Sequence, residues 1–270
     1  MINFKQYLTE AKKEYKRGVV AHLDIMSHWA NEINKLQTPS HVPQQHTQAA
    51  LKWFSRTNKP YAVASQEHGW RVHTDNPSSK TSAADIMVHA PAGNRSFGIE
   101  AKSGRPSLTS ATLGSSFDIK PQSPVAKHIH DSLMSGRLKR MSDWLGKRQQ
   151  PEQGTQAPTR RFLKMKKQEG EIYHPVVSEY ETGLHKSGIK AISITDAKGN
   201  IRHFSTNPEH QERLSKYVDV AHIQHKSGRL SLRIGQVTSG GQTRKETQGI
   251  SFLSKQPIGY SVKQIVDLNA

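Results

Sequence analysis

The 270-residue chain has no cysteine, which excludes disulfides and any cysteine-ligated zinc site. It also lacks any run approaching the roughly 20 apolar residues of a membrane span. The opening Met1-Ile-Asn-Phe-Lys-Gln-Tyr-Leu8 has no long apolar core of the signal-peptide kind. These absences predict a soluble, cytoplasmic protein with no membrane partner. There is no internal repeat, no Gly-rich phosphate loop of the Walker type and no aromatic RNA-binding signature. Acids are scarce too: 22 Asp plus Glu stand against 39 Lys plus Arg, a net charge of +17 with histidines neutral.

Such an excess of positive charge attracts phosphate backbones and speeds association with them. It is clustered at Gly136-Arg-Leu-Lys-Arg140, Gly146-Lys-Arg148 and Thr159-Arg-Arg-Phe-Leu-Lys-Met-Lys-Lys167. One charge run alone is ordinarily a solvated face. Three of them, downstream of the segment described next, point to DNA as partner. Arg137, Lys139, Arg140, Lys147 and Arg148 are the candidate phosphate contacts, with Arg229 and Arg233 as a competing set.

Two acids fifteen residues apart, Asp85 and Glu100, lie in TSAADIMVHAPAGNRSFGIEAKSG, with Lys102 two positions after the glutamate. The apolar β-forming runs around Pro91-Ala-Gly-Asn94 read as a β-hairpin. With the turn at 91–94, opposed residues have numbers summing to 185, which sets Asp85 across from Glu100. Facing carboxylates at roughly 5 Å repel each other, and a divalent cation between them would remove that cost. Alternation along the second strand puts Glu100 and Lys102 on one face and Ile99 and Ala101 on the other. Glu-X-Lys also occurs at Glu10-Ala-Lys12 and Glu14-Tyr-Lys16, but these sit in a polar, helical-looking segment without a partner strand.

This arrangement, over about residues 44–125, resembles the PD-(D/E)XK nuclease superfamily, whose core is an acid on one strand and Glu-X-Lys on the next. The resemblance implies a restriction-endonuclease-like α/β fold with a mixed sheet. It also implies that Asp85, Glu100 and the carbonyl of Ala101 bind Mg²⁺ or Mn²⁺, while Lys102 orients or deprotonates the attacking water. Ser78–Asp85 and Lys102–Leu108 also resemble phage and restriction-type members, although Ala84 stands where that family often has proline. The opening MINFKQYLTEA resembles the N-termini of tailed-bacteriophage proteins. Many members add a further glutamate, for which Glu67 and Glu32 are both candidates: Glu67 is nearer in sequence, Glu32 lies in a helical-looking stretch.

Along the chain, 1–40 is expected to be an N-terminal helical segment and 41–150 the nuclease-like core. A basic linker at 151–170 is expected to lead into a β-rich C-terminal portion, 171–270, that possibly continues the core. Helices are predicted at about 3–16, 19–36, 44–57 and 124–148, the last interrupted by Gly136. In 19–36, Leu23, Met26, Trp29, Ala30 and Ile33 form a core stripe. Short strands are predicted around 61–65 and 69–74, and the small-residue run from Ser103 to Pro124 reads as a loop or connector. His128 and His130, two apart on a helix, point to different sides and are given a surface role. Hairpins are predicted at 189–204 and, turning at Lys226-Ser-Gly228, at 222–234, with His225, Lys226, Arg229 and Arg233 on an exposed basic face.

Three function classes follow: a metal-dependent DNA endonuclease, a catalytically silent nucleic-acid-binding protein with a nuclease-like core, and a basic phage structural or assembly protein. Double-strand cutting by a one-site chain would favour a homodimer.

Overall fold

The computed structural model describes residues 24–33, 61–64, 71–74, 84–89, 96–105, 107–108, 111–112, 124–146, 160–195, 200–218, 220–226, 229–234 and 258–269. The helices expected at 3–16 and 44–57 lie outside them. The architecture is mixed α/β and divides into two compact units that interleave along the chain. Met1–Gly104, Gly188–Ser205 and Gly259–Ala270 make the first, and Arg105–Ser187 and Thr206–Ile258 the second. Strands from distant parts of the sequence therefore meet in one sheet, where the sequence suggested blocks in series.

In the first unit, β1 (Tyr61–Ala64), β2 (Arg71–Thr74), β3 (Ile86–His89) and β4 (Phe97–Arg105) are successive antiparallel neighbours. β4 then pairs in parallel with β8 (Ile189–Thr195), and β9 (Ile201–Ser205) closes the order β1-β2-β3-β4-β8-β9. Parallel neighbours need a long crossover. Here it contains the whole stretch Arg105–Ser187. The expected hairpin at 189–204 thus adds to the sheet that carries the acids.

One face of this sheet is apolar for a simple reason of parity. Ile86 and Val88 on β3 oppose Ile99 and Phe97 on β4, and all four are buried with Ala101 and Ala191. A helix over residues 24–33, α1, covers them with Ile25, Met26, Trp29, Ala30 and Ile33, so Met26, Trp29, Ala30 and Ile33 of the predicted stripe are core, while Leu23 lies outside the described residues. The Trp29 indole N–H, buried with its ring, donates to Ser193 Oγ on β8 at 2.9 Å. That bond offsets the cost of taking the N–H out of water.

A short C-terminal helix, α5 (Val262–Asp267), adds Val262, Ile265 and Val266 to the same core. Ser261 and Gln264 form a reciprocal capping box at its start. Just before it, Gly259 has φ +87°, and a Cβ there would meet the His203 carbonyl oxygen at 2.4 Å. Only glycine fits where Tyr260 N–H donates to that carbonyl at 2.8 Å.

The second unit holds two very short strands, β5 (Ser107–Leu108) and β6 (Ala111–Thr112), within the stretch read as a loop. It also holds α2 (Pro124–Met134), α3 (Lys139–Gly146), β7 (Arg160–Lys166), α4 (Pro175–Lys186), β10 (Val220–Lys226) and β11 (Arg229–Ile234). Two expectations change here. The helix foreseen over 124–148 is two helices, because Gly136 takes φ +81° and the chain re-enters helix only at Lys139. The foreseen basic linker contains β7, the edge strand of an antiparallel sheet ordered β6-β11-β10-β7.

α2 and α4 pack closely at Gly183, where an added Cβ would lie 3.3 Å from Val125 Cα. His128 is buried in this contact rather than on the surface. Its Nε2 lies 2.8 Å from Glu179 Oε2, and its Nδ1 lies 3.2 Å from Lys186 Nζ. Burial lowers its pKa, with Lys186 acting in the same direction and Glu179 against it. His130 is on the other, more open side of α2, as the helical spacing required.

Candidate functional site

The pairing of β3 with β4 follows the sum of 185, with Ile86 opposite Ile99, Met87 opposite Gly98 and Val88 opposite Phe97. Asp85 is the residue just before β3, and its N–H donates to Ile99 O at 3.2 Å. Because the ladder begins at Ile86, the Ala101 N–H on the β3 side of β4 has no strand residue to meet. Asp85 Oδ2 accepts that N–H at 2.9 Å, so its side chain stands in for the missing strand. This anchoring role was not visible in the motif.

Glu100 and Lys102 share the face opposite Ile99 and Ala101, as alternation requires. The two carboxylates do not confront each other bare. Lys102 Nζ lies 3.8 Å from Asp85 Oδ2 and in direct contact with Glu100 Oε1. All three side chains are largely covered, with relative exposures of 26% for Asp85, 13% for Glu100 and 21% for Lys102. Burial pulls the Lys102 ammonium down, but Glu100 and then Asp85 outweigh it, and its pKa is raised above the ordinary 10.5. In this arrangement Lys102 is a counter-ion to both acids, not a base.

Two hard carboxylate oxygens converging on one cationic position suit a small divalent ion. Mg²⁺ commonly takes one or two carboxylates and fills its remaining positions with water and phosphate oxygens. The Ala101 carbonyl is a reasonable third donor, since the N–H and C=O of one strand residue point to the same edge. No third His, Asp or Glu joins Asp85 and Glu100 among the described residues. Glu32 lies on α1, the helix packed on the apolar face, and is not brought to the acids. Glu67 lies outside the described residues.

Gly98 sets the closeness of the strands beside the site. A Cβ on Gly98 would lie 2.6 Å from Ala84 Cβ and 3.2 Å from Ile189 Cγ1. Its N–H donates to Gly188 O at 2.9 Å, at the shift in the β4–β8 register.

The candidate phosphate contacts fall into two groups. On the α2–α3 corner, Lys139 and Arg140 are exposed. Arg137 is engaged instead: Nε lies 3.4 Å from Glu179 Oε1, and an Nη donates to Ser132 Oγ at 3.1 Å. Lys147 and Arg148 lie outside the described residues. In the β10–β11 hairpin, Lys226 opposes Arg229 and His222 opposes Arg233, which sets these positions on one face. His225, expected there, opposes Leu230 and falls on the face of Ala221, Ile223 and Leu232, because the pairing of Lys226 with Arg229 fixes the register.

Sequence reading also missed a buried ion pair in the second unit. Glu181 Oε2 accepts from Arg213 Nε at 3.0 Å and from Ser215 Oγ at 2.5 Å, while Oε1 accepts from Ser215 N at 3.1 Å. Nothing in the separated segments signalled this pairing. No described helix is long and apolar enough to cross a membrane. Comparison of the chain with family models, with curated proteins and with solved structures finds no match.

Proposed function

We propose that this chain is a metal-dependent DNA endonuclease of restriction-endonuclease-like type that hydrolyses phosphodiester bonds. The observation that carries this reading is the meeting of Asp85, Glu100 and Lys102 at one partly open spot on adjacent strands. Asp85, Glu100 and the Ala101 carbonyl would hold Mg²⁺ or Mn²⁺. A bound divalent cation supplies Lewis acidity to the scissile phosphate. Once the acids are occupied, Lys102 loses the two partners that raise its pKa, while its burial remains. Its amine would then be suited to orienting or deprotonating the attacking water and, once protonated, to balancing the negative charge that develops on the phosphoryl oxygens.

DNA is the proposed substrate because of the +17 net charge and the exposed cations Lys139 and Arg140. A phage protein acting in the host cytoplasm, as a homodimer if it cuts both strands, fits this reading. The contact of Lys102 with both acids favours a second reading: an internal ammonium that offsets part of their charge lessens the need for a metal, as in a silent nucleic-acid-binding relative of such enzymes. Plasmid incubated with the protein in Mg²⁺ or in EDTA separates the two. Cleavage in Mg²⁺ that is lost in Asp85→Ala, Glu100→Ala and Lys102→Ala supports the nuclease, whereas cleavage by all three variants excludes this site.

A further inference from the structure

We propose that Arg202 on β9 binds a backbone phosphate of the DNA strand that lies on the acid-bearing face of the first sheet. The proposal rests on the reading of that face as the place where DNA is held, and it adds a contact that the motif around Asp85 and Glu100 does not contain. Register puts Arg202 there. Across the parallel pair, Glu100 lies beside Ile192 and Lys102 beside Ile194. Across the antiparallel pair that follows, Ile192 lies beside Phe204 and Ile194 beside Arg202. Paired residues present their side chains on one side of a sheet, so Glu100, Lys102 and Arg202 share a face. The opposite face keeps Ala101, Ser193 and His203, which pack with α1: Trp29 donates to Ser193 Oγ and lies edge-on to the His203 ring.

Two rows run across the strands on the acid-bearing face. In one, Glu100 is followed by Ile192 and Phe204, both fully buried. In the other, a buried Ile194 separates two cations, Lys102 and Arg202, each of which is partly exposed. Two strand spacings of roughly 4.8 Å place Arg202 about 10 Å from Lys102. One strand of duplex DNA carries a charge about every 3.4 Å along the axis, so that span reaches a phosphate about three nucleotides from the one at Lys102.

The guanidinium itself lacks a partner. Its Nε is buried and has no hydrogen-bond acceptor, and no carboxylate among the described residues forms an ion pair with it. The other covered cations are matched: Lys102 lies beside Asp85 and Glu100, and Arg213 beside Glu181. An N–H of a charged group that is buried without an acceptor is costly. Turning the side chain out to a phosphate breaks no hydrogen bond at Nε and gives that N–H an acceptor. The planar fork of a guanidinium matches two phosphate oxygens at once, which an ammonium cannot do. An anion brought to this face by the neighbouring site is therefore the partner that Arg202 fits.

The test is fluorescence anisotropy of the full-length chain with a labelled duplex oligonucleotide in EDTA, where no strand is cut, together with thermal unfolding. Arg202→Met removes the charge and the unmatched N–H but keeps an unbranched side chain. It should weaken binding at least about tenfold and lower the log–log salt slope by about 0.9, the share of one phosphate contact on duplex DNA, while Tm holds or rises. The slope is the readout that a packing role would not move. Arg202→Lys keeps the charge and loses the fork, so it should keep the slope and lose affinity about fivefold, the worth of one hydrogen bond. Unchanged affinity and slope in a folded Arg202→Met would make Arg202 a structural residue and overturn the proposal. Should Arg202→Met not fold, Arg202→Lys decides, and unchanged affinity there overturns it equally. A wild type that binds no duplex would remove DNA as the partner and this contact with it. A wild type that binds duplex and cuts plasmid in Mg²⁺, beside an Arg202→Met that binds as well, would overturn this contact alone.

Discussion

The Asp85 carboxylate accepts the Ala101 backbone N–H at 2.9 Å, across the point where β3 has ended and β4 continues. One side chain therefore closes the sheet ladder and also faces Lys102. Asp85→Asn keeps an acceptor for the N–H and loses the charge, whereas Asp85→Ala loses both. Denaturant unfolding should place both variants below wild type, because each removes a charge partner of Lys102, with Ala about 1–2 kcal/mol below Asn. Both should lack Mg²⁺-dependent cleavage. Equal stability of the two variants would remove the ladder role.

Facing acids in the sequence suggested that deleting one of them would stabilise the metal-free protein by relieving repulsion. Lys102 between them reverses that expectation, since deleting an acid strips a largely buried ammonium of a partner. The informative variant is Lys102→Met, which leaves Asp85 and Glu100 without their counter-ion. It should bind Mn²⁺ or Mg²⁺ several-fold more tightly than wild type by calorimetry and show a larger metal-induced rise in Tm. Cleavage should be lost. A variant with unchanged metal affinity would show that the acids are not the ligands.

The acid hairpin was legible because its signals are local: apolar alternation, a turn at 91–94 and a register fixed by symmetry about it. The α1 stripe was legible for the same reason, since Met26, Trp29, Ala30 and Ile33 recur at helical spacing. What could not be read were relations between distant segments. The parallel pairing of Glu100 with Ile192 spans the Arg105–Ser187 segment of the second unit, and a buried Glu181–Arg213 pair looks in sequence like two surface charges. β7 was hidden because exposed Lys164 and Lys166 alternate with Leu163 and Met165 in a run dominated by charge. His225 was misplaced because a slip of one residue in a hairpin exchanges the faces.

Gly98 tests how tightly the site is held. Gly98→Ala brings a Cβ to 2.6 Å from Ala84 Cβ, the residue immediately before Asp85. A backbone-borne methyl cannot swing away, so the β3 lead-in must shift. Overpacking of this kind costs about 1–3 kcal/mol. Cleavage should fall by more than the loss of folded protein explains, because Asp85 moves with Ala84. Wild-type activity per folded molecule would show that the spacing of the strands at Gly98 does not position the acid.

The pH dependence of stability should be set in part by His203, on the apolar side of the first unit. Its Nδ1 lies 2.8 Å from Ser193 Oγ and its Nε2 lies 3.1 Å from His28 Nε2, with the Trp29 ring edge-on at 5.1 Å. Burial, and then the neighbouring His28, lower its pKa from 6.5 to about 3. A histidine whose folded pKa lies below its unfolded one must be neutral to stay folded. Its contribution is therefore complete above pH 6.5 and is lost as pH falls from 6.5 towards 3. The slope can reach about 1.4 kcal/mol per pH unit within that window. His203→Gln cannot titrate and should flatten this limb, although lost packing will lower its stability at neutral pH. Urea unfolding of both proteins between pH 7 and pH 4 reads the His203–His28 pair, because titrating groups away from it cancel in the difference. The gap between wild type and variant should narrow as the solution is acidified, and a constant gap would show that His203 is not held neutral by its surroundings.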